Sequence, residues 1–148
     1  MFIQHKREQR LKRSGIYDVD KMEGRQFELY LGLLFKTLGY KTKVTRSAGD
    51  YGADLVIEKD GIRTVIQAKR QSKNVGIEAV QQVYGSKAHY NAQQAWVITN
   101  RDFTEAAVKL AKSTDVKLIN REQLIELMLK INPQQKSEFL SQKKKQTP

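Results

Sequence analysis

The sequence of 148 residues contains no cysteine, which excludes a disulfide scaffold and thiolate metal centres and fits a reducing compartment. No apolar run approaches the roughly 20 residues of a membrane-spanning helix, so no membrane association is expected. Met1 to Arg13 carries charge with no apolar stretch behind it, unlike a secretory signal. There is no GxxxxGK stretch, so a P-loop nucleotide cofactor is not expected. The two histidines, His5 and His89, lie far apart in the chain and give no histidine metal site. No Ser-His-Asp arrangement and no internal repeat is present.

What the chain does have is basic charge and a core. Lys and Arg number 27 against 16 Asp and Glu, a formal charge of +11, which favours an anionic partner, nucleic acid ahead of a membrane surface. The 39% apolar fraction suffices for one packed domain. Residues 1–13 hold +4 and residues 134–148 hold +3, leaving +4 for the 120 residues between. The expected organisation is a basic N-terminal arm over 1–20, one domain over 21–132, and a basic C-terminal tail over 133–148, the two ends being poorly ordered.

Along the chain, Phe27, Tyr30, Leu31, Leu34, Phe35 and Leu38 recur at helical spacing and predict an amphipathic helix over 21–38, with Asp20 as N-cap and Gly39 as its stop. Strands are expected over 40–46, 53–59 and 62–70, the last two joined by Asp60-Gly61, the dipeptide of a tight hairpin. The turn-rich stretch 47–52 separates the first two. Then follow a helix over 76–90, a buried strand over 94–99 with Trp96 in the core, a helix over 104–112 capped by Thr104, a strand over 116–119 and a helix over 121–131 ended by Pro133. Strands joined first by a hairpin and then by helical crossovers predict an α/β fold with a mixed sheet flanked by helices.

Strand alternation puts Val65, Gln67 and Lys69 on one face. A two-residue turn at Asp60-Gly61 sets Asp54 opposite Gln67 and Gly52 opposite Lys69, with cross-strand neighbours about 5 Å apart. A carboxylate, an amide and an ammonium then meet in otherwise core-like strands. Two readings follow: a partly exposed sheet end with a salt bridge, or a chemical site. Glu28 stands three and seven residues before Leu31 and Phe35, either on the edge of the buried stripe or held inside by a partner. If the acidic groups converge, Asp54, Glu28 and the Ala68 carbonyl suit a hard divalent ion, and Lys69 could orient water or stabilise charge on a phosphorane. That is machinery for phosphodiester hydrolysis.

At these residues the chain resembles the Mrr-like restriction endonucleases of the PD-(D/E)xK nuclease superfamily. The matching stretches are GRQFELYLGLLFKTLGY, GDYGADLVI, VIQAKR, VGIEAVQQVYGSKAHY, AWVITNRDFTEAAVKLA and VKLINREQL, covering roughly residues 22–128. The resemblance implies a three-layer α/β/α sandwich with a central mixed β-sheet, restriction-endonuclease-like, and magnesium-dependent cleavage of DNA, with Mn2+ as a substitute ion. It implies Asp54 as the metal-binding aspartate, Gln67 in the usual Glu position, Lys69 as the motif's lysine, Glu28 as the glutamate of the first helix and Gln81 as a glutamine facing the site from the helix after the motif. Gln67 removes one negative charge from the ion site, so a QxK enzyme and a degenerate DNA-binding module both remain open, as does a nuclease selective for branched DNA. Arg46, Arg70 and Lys73 flank the proposed site as phosphate contacts or as ordinary strand-end charges, and Asp50 as a further ligand or a turn stabiliser. With about 20 residues before the first helix, no separate DNA-reading domain is expected within this sequence. A homodimer is expected if both strands are cut, and the resemblance implies a cytoplasmic, nucleoid-associated protein of prokaryotic or phage type.

Overall fold

A computed structural model of the chain describes Lys6, residues 15–46 and residues 51–133. Expectations for the two terminal segments, for His5 and for Asp50 lie outside the described residues. The elements are α1 (Ile16–Val19), α2 (Gly24–Thr37), β1 (Lys41–Val44), β2 (Leu55–Lys59), β3 (Ile62–Lys69), α3 (Ile77–His89), β4 (Gln94–Thr99), α4 (Glu105–Thr114), β5 (Lys117–Ile119) and α5 (Arg121–Ile131). The sheet order is β1-β2-β3-β4-β5. β1, β2 and β3 pair antiparallel, whereas β3, β4 and β5 pair parallel.

The hairpin at Asp60-Gly61 sets the antiparallel half. Both residues have positive φ, 53° and 79°, as a two-residue type I′ turn requires. Lys59 therefore pairs with Ile62, and the ladder runs back to Leu55 opposite Ile66. Strand alternation then sorts side chains into two cores. Leu55, Ile57, Ile66, Ile98 and Ile119 pack with α1, α2 and α5 on one face. Val65, Ala95 and Val97 pack with α3 and α4 on the other. The result is a mixed sheet between two helical layers, the α/β/α sandwich expected from the element order.

Helix α2 buries Phe27, Tyr30, Leu31, Leu34 and Phe35 against the first face. Each such side chain contributes about 1.5–3 kcal/mol when fully buried, so this helix anchors that layer. It starts at Gly24 with Glu23 as N-cap, not at Lys21 after Asp20. The reason is α1, a short helix that the periodicity did not reveal because it is only one turn long. Its Ile16 and Val19 belong to the core, ahead of the boundary expected at residue 21.

Asp20 follows α1 and has a different task from capping α2. Arg121 Nη1 and Nη2 donate to its two carboxylate oxygens at 2.8 and 3.0 Å, and Asn100 Nδ2 donates at 3.0 Å. These bonds tie the chain before α2 to the end of β4 and the start of α5. Burial alone would raise the Asp20 pKa, but the hydrogen bonds from Arg121 and Asn100 and the nearby positive charge hold it below its ordinary value of 3.8. A depressed carboxylate contributes stability that is present above the unfolded pKa and lost as pH falls through the folded one. Native protein should therefore lose stability on acidification below about pH 4 more steeply than Asp20→Asn, which should be the less stable of the two at neutral pH. Denaturant melts at several pH values measure this, and parallel acid profiles would remove Asp20 from the account.

Candidate active site

The ladder between β2 and β3 ends at Leu55, and the next residue back turns its side chain to a new use. The Asp54 backbone N–H donates to Ile66 O at 2.8 Å, while its carboxylate Oδ2 accepts from the Ala68 backbone N–H at 2.8 Å. Asp54 thus brackets Gln67 from both sides. This is the neighbourhood the hairpin register predicts, reached through a side-chain bond in place of a regular cross-strand pair. Thr45 fixes the other side of the segment. Its backbone N–H donates to Asp54 O at 2.9 Å, and its Oγ1 donates to Ala53 O at 2.8 Å.

Gln67 is buried, at 8% exposure, on the face that packs against α3. Its Nε2 donates to Gln82 Oε1 on α3 at 3.1 Å. Its own Oε1 is buried with no hydrogen-bond partner among the described residues. An unpaired buried acceptor costs about 1–3 kcal/mol, so an oxygen held this way calls for a functional reason. Lys69 shares the face by alternation, is half-buried, and its ammonium forms no ion pair or side-chain hydrogen bond among the described residues. The salt-bridge reading of this sheet end therefore finds no support at Lys69.

Glu28 lies at the edge of the α2 stripe, with its side chain 15% exposed and 3.1 Å from Arg25 Nη1. Arg25 Nη1 also donates to Thr45 O at 2.7 Å. Glu28 is thereby linked to the Asp54 segment through Arg25 and Thr45. Among the described residues no group of three or more His, Cys, Asp or Glu side chains gathers in one place. Any cation here would meet carboxylates supplemented by the Gln67 amide.

Gln81 and Gly52 are placed differently from the expectation. Gln81 is exposed on the outer side of α3, because Ala79, Val80 and Val83 face inward, and the neighbouring Gln82 meets the site instead. The helical phase of those three apolar residues carried that signal. Gly52 does not pair with Lys69. It has φ +87° and packs its backbone against the Gln82 carbonyl, where a Cβ has no room. Arg70 Nη1 donates to Asp20 O at 3.1 Å on the opposite face, so that guanidinium serves the fold. Lys73 and Arg46 are exposed. Neither Thr45 nor Arg25 stands out in the sequence, since a threonine at a strand end and an arginine in a first helical turn are common on any surface.

Solved structures share this architecture. A protein described as of unknown function, AF1548, aligns with a TM-score of 0.58 and 24% identity over 72% of this chain and 64% of its own. The DNA modification-dependent restriction endonuclease AspBHI aligns with a TM-score of 0.56 and 19% identity over 90% of this chain and 38% of its own. The MspJI restriction endonuclease, solved in complex with a 27-mer oligonucleotide, aligns with a TM-score of 0.55 and 21% identity over 84% of this chain and 32% of its own. At these identities the likeness is one of fold, and this chain spans about a third of each of the two restriction enzymes. No curated protein matches the sequence. The family model Mrr_cat, described as restriction endonuclease, matches residues 19–128 and so takes in α2, the Asp54 segment and the Gln67–Lys69 strand. The chain belongs to the Mrr_cat restriction endonuclease family.

Proposed function

We propose that this protein is a metal-dependent endonuclease that hydrolyses phosphodiester bonds of DNA at the end of β3. The observation that carries the reading is the Gln67 Oε1 atom, buried and without a hydrogen-bond partner among the described residues, one residue before the Ala68 N–H that holds the Asp54 carboxylate. Oxygen donors of this kind fit a hard divalent cation such as Mg2+, with Mn2+ as a substitute. Asp54 and Gln67 would hold it, with the Ala68 carbonyl and Glu28 as further donors. Bound there, such an ion polarises a phosphate and acidifies water.

The chain's own residues do the rest. The Ala68 N–H fixes the Asp54 carboxylate in place. Gln82 holds the Gln67 amide so that its oxygen, and not its nitrogen, is the free end. Lys69 carries an ammonium with no ion-pair partner among the described residues, suited to a phosphate oxygen or to orienting the attacking water. The excess of positive charge supplies grip on the DNA backbone, which gives affinity without sequence information.

Gln82 then acts as a positioning residue. Gln82→Ala should raise the Mg2+ concentration needed for half-maximal cleavage by about 10-fold, the scale on which outer partners of metal ligands act, whereas Gln81→Ala should leave it unchanged. Titrating cleavage rate with Mg2+ in both variants measures this, and equal behaviour of the two would exclude the assigned role. The proposal as a whole is tested by Mg2+-dependent DNA cleavage with Lys69→Ala as the inactive control.

One observation favours a second reading. A neutral amide stands where a carboxylate would bind an ion more strongly, and no three-carboxylate group is present among the described residues. A fold that grips DNA without cutting it would show steeply salt-dependent binding and no cleavage. Gln67→Glu separates the two: a gain of cleavage from an inactive parent marks a degenerate site, while retained or reduced cleavage marks a native amide-containing one.

A further inference from the structure

On the face of the sheet opposite Lys69, towards the hairpin end, lies a cavity of about 390 Å³. Its floor is aromatic. Phe35 stands 5.5 Å from Tyr40 edge-on and 6.0 Å from Trp96, with Leu38, Ile119 and Leu127 completing the apolar lining. Its rim is basic. Lys59 Nζ lies 5.0 Å from the centre of the Tyr40 ring, Lys117 Nζ lies 4.7 Å from that of Trp96, and Lys130 faces them from α5 against the single acid Glu126. None of these lysines forms an ion pair among the described residues. Trp96 is therefore only half-buried and opens on this cavity, in place of the fully core position its apolar strand predicts.

The volume is that of a small-molecule site, about 300–1,000 Å³ in general. An apolar body would cover the three rings, and an anionic group would meet three ammoniums that have no carboxylate partner among the described residues, Lys59 Nζ donating only to Leu38 O at 3.4 Å. We infer that this cavity binds one unpaired nucleotide, its base against the Tyr40–Phe35–Trp96 floor and its phosphate on Lys59, Lys117 and Lys130. The preference for a nucleotide over other anionic aromatics rests on the DNA-cleavage reading; the aromatic floor and basic rim do not. Since the sheet separates the cavity from Asp54 and Lys69, binding here is independent of cleavage. The nucleotide could come free from solution or from a single-stranded stretch of DNA.

The chain's one tryptophan is Trp96, so its fluorescence reports this cavity alone. Full-length Asp54→Ala protein, used to prevent turnover, is titrated with dAMP, with a short single-stranded oligonucleotide, with the same strand in a blunt duplex, with inorganic phosphate and with salicylate. The expected result is saturable quenching by dAMP or by the single strand, with dAMP active alone marking the free source and the strand active alone marking the polymer. Lys117→Glu and Lys130→Glu, both surface changes, should weaken the effect about 10-fold each while leaving the thermal melt in place. No saturable response to either nucleotide source, equal response to salicylate, or full affinity in both lysine variants would overturn the assignment. A native protein that cleaves DNA yet shows no such quenching would sink this inference alone and leave the proposed function standing.

Discussion

Replacing Asp54 by asparagine should lower Mg2+-dependent DNA cleavage by about 10³-fold while leaving the protein folded. The two roles of this side chain can be separated because they use different properties. Its structural role is to accept the Ala68 N–H at 2.8 Å, which an amide oxygen can also do. Its proposed chemical role needs the negative charge, which the amide lacks, and a hard cation loses much of its attraction to the site without it. Asp54→Ala removes both, and should in addition cost about 1–3 kcal/mol of stability because the Ala68 N–H is left without its acceptor. Cleavage rates and thermal melts of the two variants together test this. Asparagine protein that cleaves like the parent would take Asp54 out of the chemistry, and asparagine protein that melts like the alanine variant would show that charge matters to the fold.

The second large effect is expected at Gly52. Its φ of +87° disfavours any side chain, and a methyl group there would overlap the Gln82 carbonyl oxygen. Backbone in a helix cannot yield as a flexible side chain does, so Gly52→Ala should destabilise the protein by about 2–4 kcal/mol. Gly61→Ala is the control. It also has positive φ, 79°, but nothing lies within 4 Å of the added carbon, so about 1 kcal/mol is expected. Denaturant midpoints at constant slope give both values. Gly52→Ala should also reduce cleavage in the fraction that remains folded, because any shift of α3 moves Gln82 and frees the Gln67 amide. Equal destabilisation by the two substitutions would mean that the close approach of Gly52 to α3 carries no energetic weight.

Much of this is written locally. Asp60-Gly61 determines the hairpin because only a short list of dipeptides accepts two positive φ values in succession, and strand alternation then places Gln67 and Lys69 together without further information. Helices α4 and α5 carry their own side-chain caps at Thr104 and Asn120. The errors lie where tertiary contacts decide. Asp20 has the chemistry of an N-cap, but Arg121, about a hundred positions away in the chain, offers it a bidentate partner, and Glu23 stands at the N-cap position without a side-chain capping bond. Gln81 and Gln82 are chemically identical, so only the helical phase separates them. Trp96 sits between the buried Ala95 and Val97, yet the layer above it leaves a cavity that no local pattern announces. The register gave Asp54 its neighbours, but not the carboxylate bond to the Ala68 N–H, which exists because the ladder stops at Leu55.

The most direct test of the central claim is a cleavage assay on the full-length protein with supercoiled plasmid DNA, run with Mg2+, with Mn2+ and with chelator, beside Lys69→Ala. Unmodified, base-modified and branched DNA belong in the same experiment, so that a restricted substrate is not mistaken for inactivity. The account predicts nicked or linear product with either metal on at least one substrate, none with chelator, and none from Lys69→Ala at equal protein and equal DNA binding. Binding of DNA without cleavage of any substrate under either metal, or cleavage that survives the loss of the Lys69 ammonium, would contradict it.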